Sequence, residues 1–319
     1  MDTCILYCYL VLHCIFSRCW SASRPYYSIF NFFMPITSLM TRNIKLKSFQ
    51  ASKLCFFLLL LCLIGMLPFY KELAFALTSS HERARFHTYF SISICFVMFA
   101  FLLSGWVSGK VKVVSSLIII IIFSGAAAHR SMYLAFCVQI LYWITINGNI
   151  KALYRPLAAV FIGFIVIIFT DFGNVIMSKF IDSYSGGDGN TESRLFYYKS
   201  IFINSFEDFF GVGFGEYFKY GLDSKGESVS YALQHNSYLS YLYFLGWVPF
   251  VFVVYFTFKL FSRGVNVNAD SKVYLTVLVG MSFFSILNVY LEQPTFGILY
   301  WAVFGIVLGD FRQYKAIRH

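Results

Sequence analysis

Apolar residues gather along this chain in eight uninterrupted runs, about 54–69, 88–108, 113–128, 131–147, 156–170, 237–258, 273–291 and 294–309. Each holds about 15–22 residues, near the length at which a helix crosses the hydrocarbon of a bilayer. Only helices satisfy their own backbone at that depth, so each run predicts a spanning helix. Two less regular runs, about 3–17 and 26–41, would add a first pair and bring the count to about ten, although Arg18 and Arg24 between them would then sit outside. The first 20 residues share the apolar character of a signal peptide, but Asp2 heads them, no basic leader precedes them and many runs follow. They read as a retained anchor or a first span. The expectation is an all-α, polytopic integral membrane protein forming one domain over residues 1–319, with residues 1–50 its most irregular part.

The polar segments between the runs give the expected orientation. Arg42, Lys45, Lys47 and Lys53 precede the run at 54–69; Lys110 with Lys112, Lys151 with Arg155, Lys259 with Arg263 and Lys272, and Arg312 with Lys315 and Arg318 mark alternate connections. Those 14 basic residues face only Asp270 and Asp310, so the positive-inside rule assigns these segments and the C-terminus to the cytoplasm. The remaining connections then lie outside: Lys71–His87, a hairpin at His129-Arg130, the long segment Asp171–Gln234 that closes at His235, and the short turn Glu292–Gln293. The long segment is acidic, with nine Asp and Glu against five Lys and Arg.

Composition agrees and excludes several functions. With 59% hydrophobic and 13% charged residues, the chain carries more apolar surface than a soluble fold of 319 residues could hide. Its net charge of +10 resides in the connections, so nucleic acid is not an expected partner. No Asp, Glu, Lys or Arg falls inside any of the eight runs, which offer only neutral groups such as Gln139 and Asn288. Ion-coupled transport generally needs charge at membrane depth, so a transporter or flippase for a lipid-linked oligosaccharide is a lesser expectation. The eight cysteines show neither CxxC spacing nor a pairing framework and read as small apolar residues. No Asp-X-Asp pair or His/Cys/Asp cluster has the spacing of a metal site, and neither metal nor cofactor is expected.

Candidate chemistry concentrates on the expected outer side. Ser183–Glu192 reads as a flexible Gly/Ser/Asp link. From Glu192 to about Phe206, Leu195, Phe196, Tyr198, Ile201, Phe202 and Phe206 recur at helical spacing, predicting an amphipathic helix against the membrane surface with Arg194 in its first turn. Gly211, Gly213 and Gly215 form GVGFG, which lacks the strand and the Lys-Ser/Thr of a nucleotide loop and reads as a tight turn. Then comes His235-Asn236, separated by nine residues from Gly246, where the loop re-enters an apolar run. Each candidate has an ordinary structural explanation: Arg130 as a cation reaching for the interface, Arg194 as a surface charge paired with Glu192 or a lipid phosphate, and His235 as part of a helix cap beside Asn236. Together they match a particular chemistry, because guanidinium groups grip a diphosphate bidentately and a neutral imidazole can take a proton from an alcohol.

In the order Arg130, Gly186-Gly187 with Arg194, Gly211 to Gly215, then His235-Asn236-X9-Gly246, the chain resembles the O-antigen polymerase and O-antigen ligase superfamily of bacterial envelopes. The likeness spans about 125 residues; the first 110 and the last 60 share only their apolar runs. It implies a membrane-embedded, metal-independent glycosyltransferase of GT-C-like type, in the inner membrane with the long loop periplasmic, taking undecaprenyl-diphosphate-linked oligosaccharides as substrate. By the same resemblance Arg130 and Arg194 would bind the pyrophosphate leaving group, His235 would activate the acceptor hydroxyl, and Asn236 would position it or cap the helix. Pro249 stands where ligases often carry Gly, Thr or Tyr, and 319 residues is short for either branch. The irregular first 50 residues also fit a truncated or misassigned start. These departures and the Phe-, Ile- and Tyr-rich composition favour a Wzy-type polymerase over a ligase, with membrane lipids, a chain-length regulator and a flippase as expected partners.

Overall fold

The computed structural model describes residues 37–38, 40–41, 48–66, 70–71, 74, 88–127, 130–147, 189–212, 218–222, 228–231, 236–262, 264, 267–288, 291 and 294–318. Among them are nine helices and one hairpin: α1 (Ser48–Met66), α2 (Thr88–Ser104), α3 (Lys110–Ala127), α4 (Arg130–Asn147), α5 (Gly189–Glu207), β1 (Phe218–Leu222), β2 (Ser228–Tyr231), α6 (Ser237–Leu245), α7 (Trp247–Ser262), α8 (Ala269–Leu287) and α9 (Pro294–Arg318). The expected spans at 3–17 and 156–170, most of that at 26–41, the link at 183–188 and the Glu292–Gln293 turn lie outside the described residues.

Among the described residues, helices form where the apolar runs predict them, with two corrections. The bundle is all-α as expected, and the long polar segment adds a short hairpin in which β1 and β2 pair antiparallel, Phe218 opposite Tyr231 and Lys219 opposite Ser230. Their register slips by one residue before Leu222, where Gly221 stands. The helix α2 stops at Ser104 rather than at 108: Gly105 adopts φ +76°, its N–H reaches Leu102 O (3.2 Å) and the Trp106 N–H reaches Phe101 O (3.0 Å). That pair of bonds is the Schellman closure, which requires a residue in the left-handed region. Finally, the expected span 237–258 is two helices, α6 and α7, parted at Gly246.

The centre of the bundle is α8, which packs against α2, α4, α6, α7 and α9. By length and composition it is the one helix among the described residues able to cross a membrane, and its apolar window is 72% buried. The remaining apolar helices have runs of 10–17 residues, such as Gln50–Gly65 and Thr295–Asp310. Around α8 the Phe96 ring meets Phe136 and Phe284 at 5.2 Å and Phe296 at 6.4 Å. A single buried amide crosses this apolar layer: Gln139 Nε2 donates to Phe96 O (3.2 Å) and Thr276 O (3.0 Å), tying α4 to α2 and α8. Gly280 makes room for it, since a Cβ there would lie 2.6 Å from Gln139 Nε2. On the outside, α7 exposes Val251, Phe252, Tyr255 and Phe258, an apolar face suited to lipid rather than water. Ser38 and Thr41 pack on α9, where Thr41 Oγ1 donates to Ala302 O (2.8 Å).

Helix ends gather in two groups. At one, Lys272 Nζ donates to Ile146 O (2.7 Å), Tyr142 OH to Phe261 O (3.0 Å) and Ser271 Oγ to Asp310 Oδ2 (2.6 Å). At the other end lie the starts of α4 and α6 and the close of α8, joined through Asn288.

The break at Gly246 is held by backbone alone. Gly246 has φ +79° and so does Gly211, and each occupies the space where the other's side chain would begin. A Cβ on Gly211 would lie 2.6 Å from Gly246 N, and one on Gly246 would strike the Phe209 and Phe210 carbonyl groups. Across this contact the Val212 N–H reaches Tyr243 O (2.9 Å) and the Trp247 N–H reaches Phe209 O (3.0 Å). Pro249 falls in the first turn of α7, where its missing N–H has no helical partner to lose.

Two expectations follow for the purified protein in detergent. Gly246→Ala adds a left-handed strain of about 1–2 kcal/mol to a backbone collision, so its melting temperature should fall by many degrees. Gly65→Ala, with nothing within 4 Å of the added methyl, should stay within about 1 kcal/mol of wild type; equal melting temperatures for the two variants would refute the clasp. Gly280→Ala should cost about 1–3 kcal/mol by forcing Gln139 aside, and Gln139→Ala in the same chain should relieve it.

Candidate active site

Asn236 opens α6. Its backbone is extended (φ −157°, ψ 113°), and its Oδ1 accepts from Tyr238 N (2.9 Å) and Leu239 N (3.1 Å). Two of the helix's four unpartnered N–H groups are thereby satisfied, which is the N-cap role that Asn performs well. Below it lies a buried group of hydroxyls, with Ser282 Oγ and Tyr300 OH 3.0 Å apart.

Ser237, fully buried, turns the start of α6 toward the close of α8. Its N–H and Oγ both donate to Asn288 O (3.3 and 3.0 Å), and its Oγ accepts from Leu291 N (3.1 Å). The side chain of Asn288 works in the other direction. Its Nδ2 donates to Phe284 O (3.2 Å), closing α8, and to Ser131 Oγ (2.6 Å) in the first turn of α4. Through one residue the start of α4 is therefore bonded to the start of α6.

The third element is α5. Ile201 is fully buried between Tyr198, Leu239 and Tyr243, and Trp247 Nε1 donates to Ser205 O (2.9 Å). Phe202, Phe206 and Phe250 ring the indole at 5.6, 5.2 and 5.9 Å. These contacts advance in the same sense along both chains, so α5 runs alongside α6 in parallel.

Of the residues singled out from sequence, Arg130 is the first residue of α4 and is followed by Ser131 of the hydrogen-bonded network. Arg194 lies in the second turn of α5, not the first, because the helix starts at Gly189 within the expected flexible link. Asn236 is a cap, and Gly211 and Gly246 face one another in the clasp. His235, Gly213 and Gly215 lie outside the described residues. Asn288 was not expected at the site: in sequence it is one neutral amide in an apolar run. The signal that could have found it is its place near the end of that run, at the same expected level as Arg130 and His235.

Residues 114–256, rather less than half of the chain, match the family described as O-antigen ligase (Wzy_C). That stretch contains Arg130, Arg194, the Gly211–Gly215 turn, His235-Asn236 and Gly246. No curated protein and no solved structure matches the chain. Over residues 114–256 the chain is thus similar to the O-antigen ligase family, and the likeness covers every residue of the candidate site singled out from sequence.

Proposed function

We propose that the protein is a Wzy-type polymerase of the bacterial inner membrane, joining lipid-linked repeat units at the periplasmic face. The observation that carries this is the Ser131–Asn288–Ser237 chain of hydrogen bonds, which ties the helix beginning with Arg130 to the one that follows His235-Asn236. The packing of α5, the helix that carries Arg194, against α6 and Trp247 supports it.

In the proposed reaction the donor is a glycan on undecaprenyl diphosphate and the acceptor is the terminal sugar of an incoming lipid-linked unit. Arg130 and Arg194 hold the diphosphate and offset the charge that grows on it as the anomeric C–O bond breaks. His235 accepts the proton of the acceptor hydroxyl while its oxygen bonds to the anomeric carbon. The products are the lengthened lipid-linked glycan and undecaprenyl diphosphate, with the proton on the imidazole. No metal takes part, and a flippase and a chain-length regulator act on either side of the step.

A ligase carrying the glycan to lipid A-core is the second reading, favoured by the description of the matched family. Gene deletion separates the two. Loss of a polymerase leaves core bearing one repeat unit, whereas loss of a ligase leaves bare core and stranded lipid-linked polymer.

Alanine at Arg130, Arg194 or His235 should each lower polymer ladders by about 100-fold or more while the protein stays in the membrane. Full ladders in Arg194→Ala or His235→Ala cells would remove those residues from the chemistry. Asn236→Asp and Asn236→Ser should keep both fold and ladders, while Asn236→Ala should lose about 1 kcal/mol of stability. Inactive but fully stable Asp and Ser variants would instead make the Asn236 amide a substrate ligand.

A further inference from the structure

Among the described residues two side-chain amides, Gln139 and Asn288, cross between helices of the bundle, and they differ in where they act. Gln139 links α4 to α2 and α8 at mid-depth, while Asn288 links α4 to α6 and α8 at the end where the proposed site lies. We infer that Asn288 is a positioning residue for the glycosyl transfer, fixing the start of α4, whose first residue is Arg130, against the start of α6, which follows His235-Asn236 in sequence. This inference rests on the function proposed above.

The geometry supports a locating role. The backbone of Asn288 is extended (φ −153°, ψ 163°), so α8 ends there and its side chain is released from continuing the helix. One N–H of the amide is turned back to Phe284 O, leaving the other for Ser131 Oγ at 2.6 Å, while the Asn288 carbonyl receives both donors of Ser237. Apolar contact alone would let two helix ends slide past one another, because dispersion is not directional. A hydrogen bond in surroundings of low dielectric has a narrow range of length and angle, and breaking it strands a polar group. Transfer between a diphosphate and a hydroxyl needs its groups held to a fraction of an ångström, and a displacement of about 1 Å can slow such a step about 100-fold.

The test uses the full-length protein in lipid nanodiscs with lipid-linked repeat units as donor and acceptor, reading kcat, KM and melting temperature. Asn288→Ala and Ser131→Ala should each lower kcat by about 10- to 100-fold with KM changed less than about threefold. The double variant should be no slower than the slower single, because both remove one bond. Ser131→Thr, which keeps the hydroxyl, should restore kcat. Gln139→Leu should shift the melting temperature and leave kcat per folded molecule unchanged.

Should Asn288→Ala fail to fold, Ser131→Ala carries the same comparison. Wild-type kcat in folded Asn288→Ala or Ser131→Ala, losses that multiply in the double variant, or an equal kcat loss in Gln139→Leu would each overturn the inference while leaving the proposed function standing. A folded wild-type protein that transfers nothing would overturn both.

Discussion

Backbone pressed directly on backbone at Gly211 and Gly246 is the constraint on which the rest of the site depends. A helix interrupted in an apolar setting frees N–H and C=O groups that cannot be left without partners. Here the segment 209–212 supplies them, accepting from Trp247 N and donating to Tyr243 O. Only glycine at both positions allows the approach. The break makes α6 short and separate from α7, so its start is oriented by its own bonds to α8. The same crossing brings Ser205 to the Trp247 indole and thereby seats α5.

Polar groups in this bundle act almost wholly as locators. Asn236 and Asn268 cap α6 and α8, Lys272 covers the last carbonyls of α4, Gln139 spans the apolar middle, and Asn288 joins three helix ends. The apolar side chains supply most of the driving force for association with little directional preference, and the few hydrogen bonds select one arrangement among those that pack equally well.

Much of the scaffold was legible in the sequence because an apolar run fixes a helix by composition alone. The helix at 192–206 was legible for a related reason, the recurrence of Tyr198, Ile201, Phe202 and Phe206 at helical spacing. What remained hidden depends on tertiary contact. The run 237–258 carries no sign of a break except Gly246, and a lone glycine in an apolar helix is common; the break becomes necessary only when the partner, Gly211, is known to lie across it. The hairpin was hidden because its strands are short and partly polar, with Lys219, Ser228 and Ser230 among them. Asn288 was hidden because its two helical partners, Ser131 and Ser237, are distant in sequence and unremarkable by type.

The clasp and the cap have a joint consequence for the chain between them. Val212 is bonded to Tyr243 and Asn236 caps the same helix, so the sequence between Val212 and His235, which carries the β1–β2 hairpin, is tied at both of its ends to one short helix, α6. An excursion anchored at both ends on a single element can lengthen, shorten or change sequence without moving any helix of the bundle, since doubling such a loop costs only about 0.6 kcal/mol in closure entropy. The fold thus separates a fixed helical frame from a connection free to vary ahead of His235, and under the proposed function sugar preference would diverge in that connection while the frame stays constant.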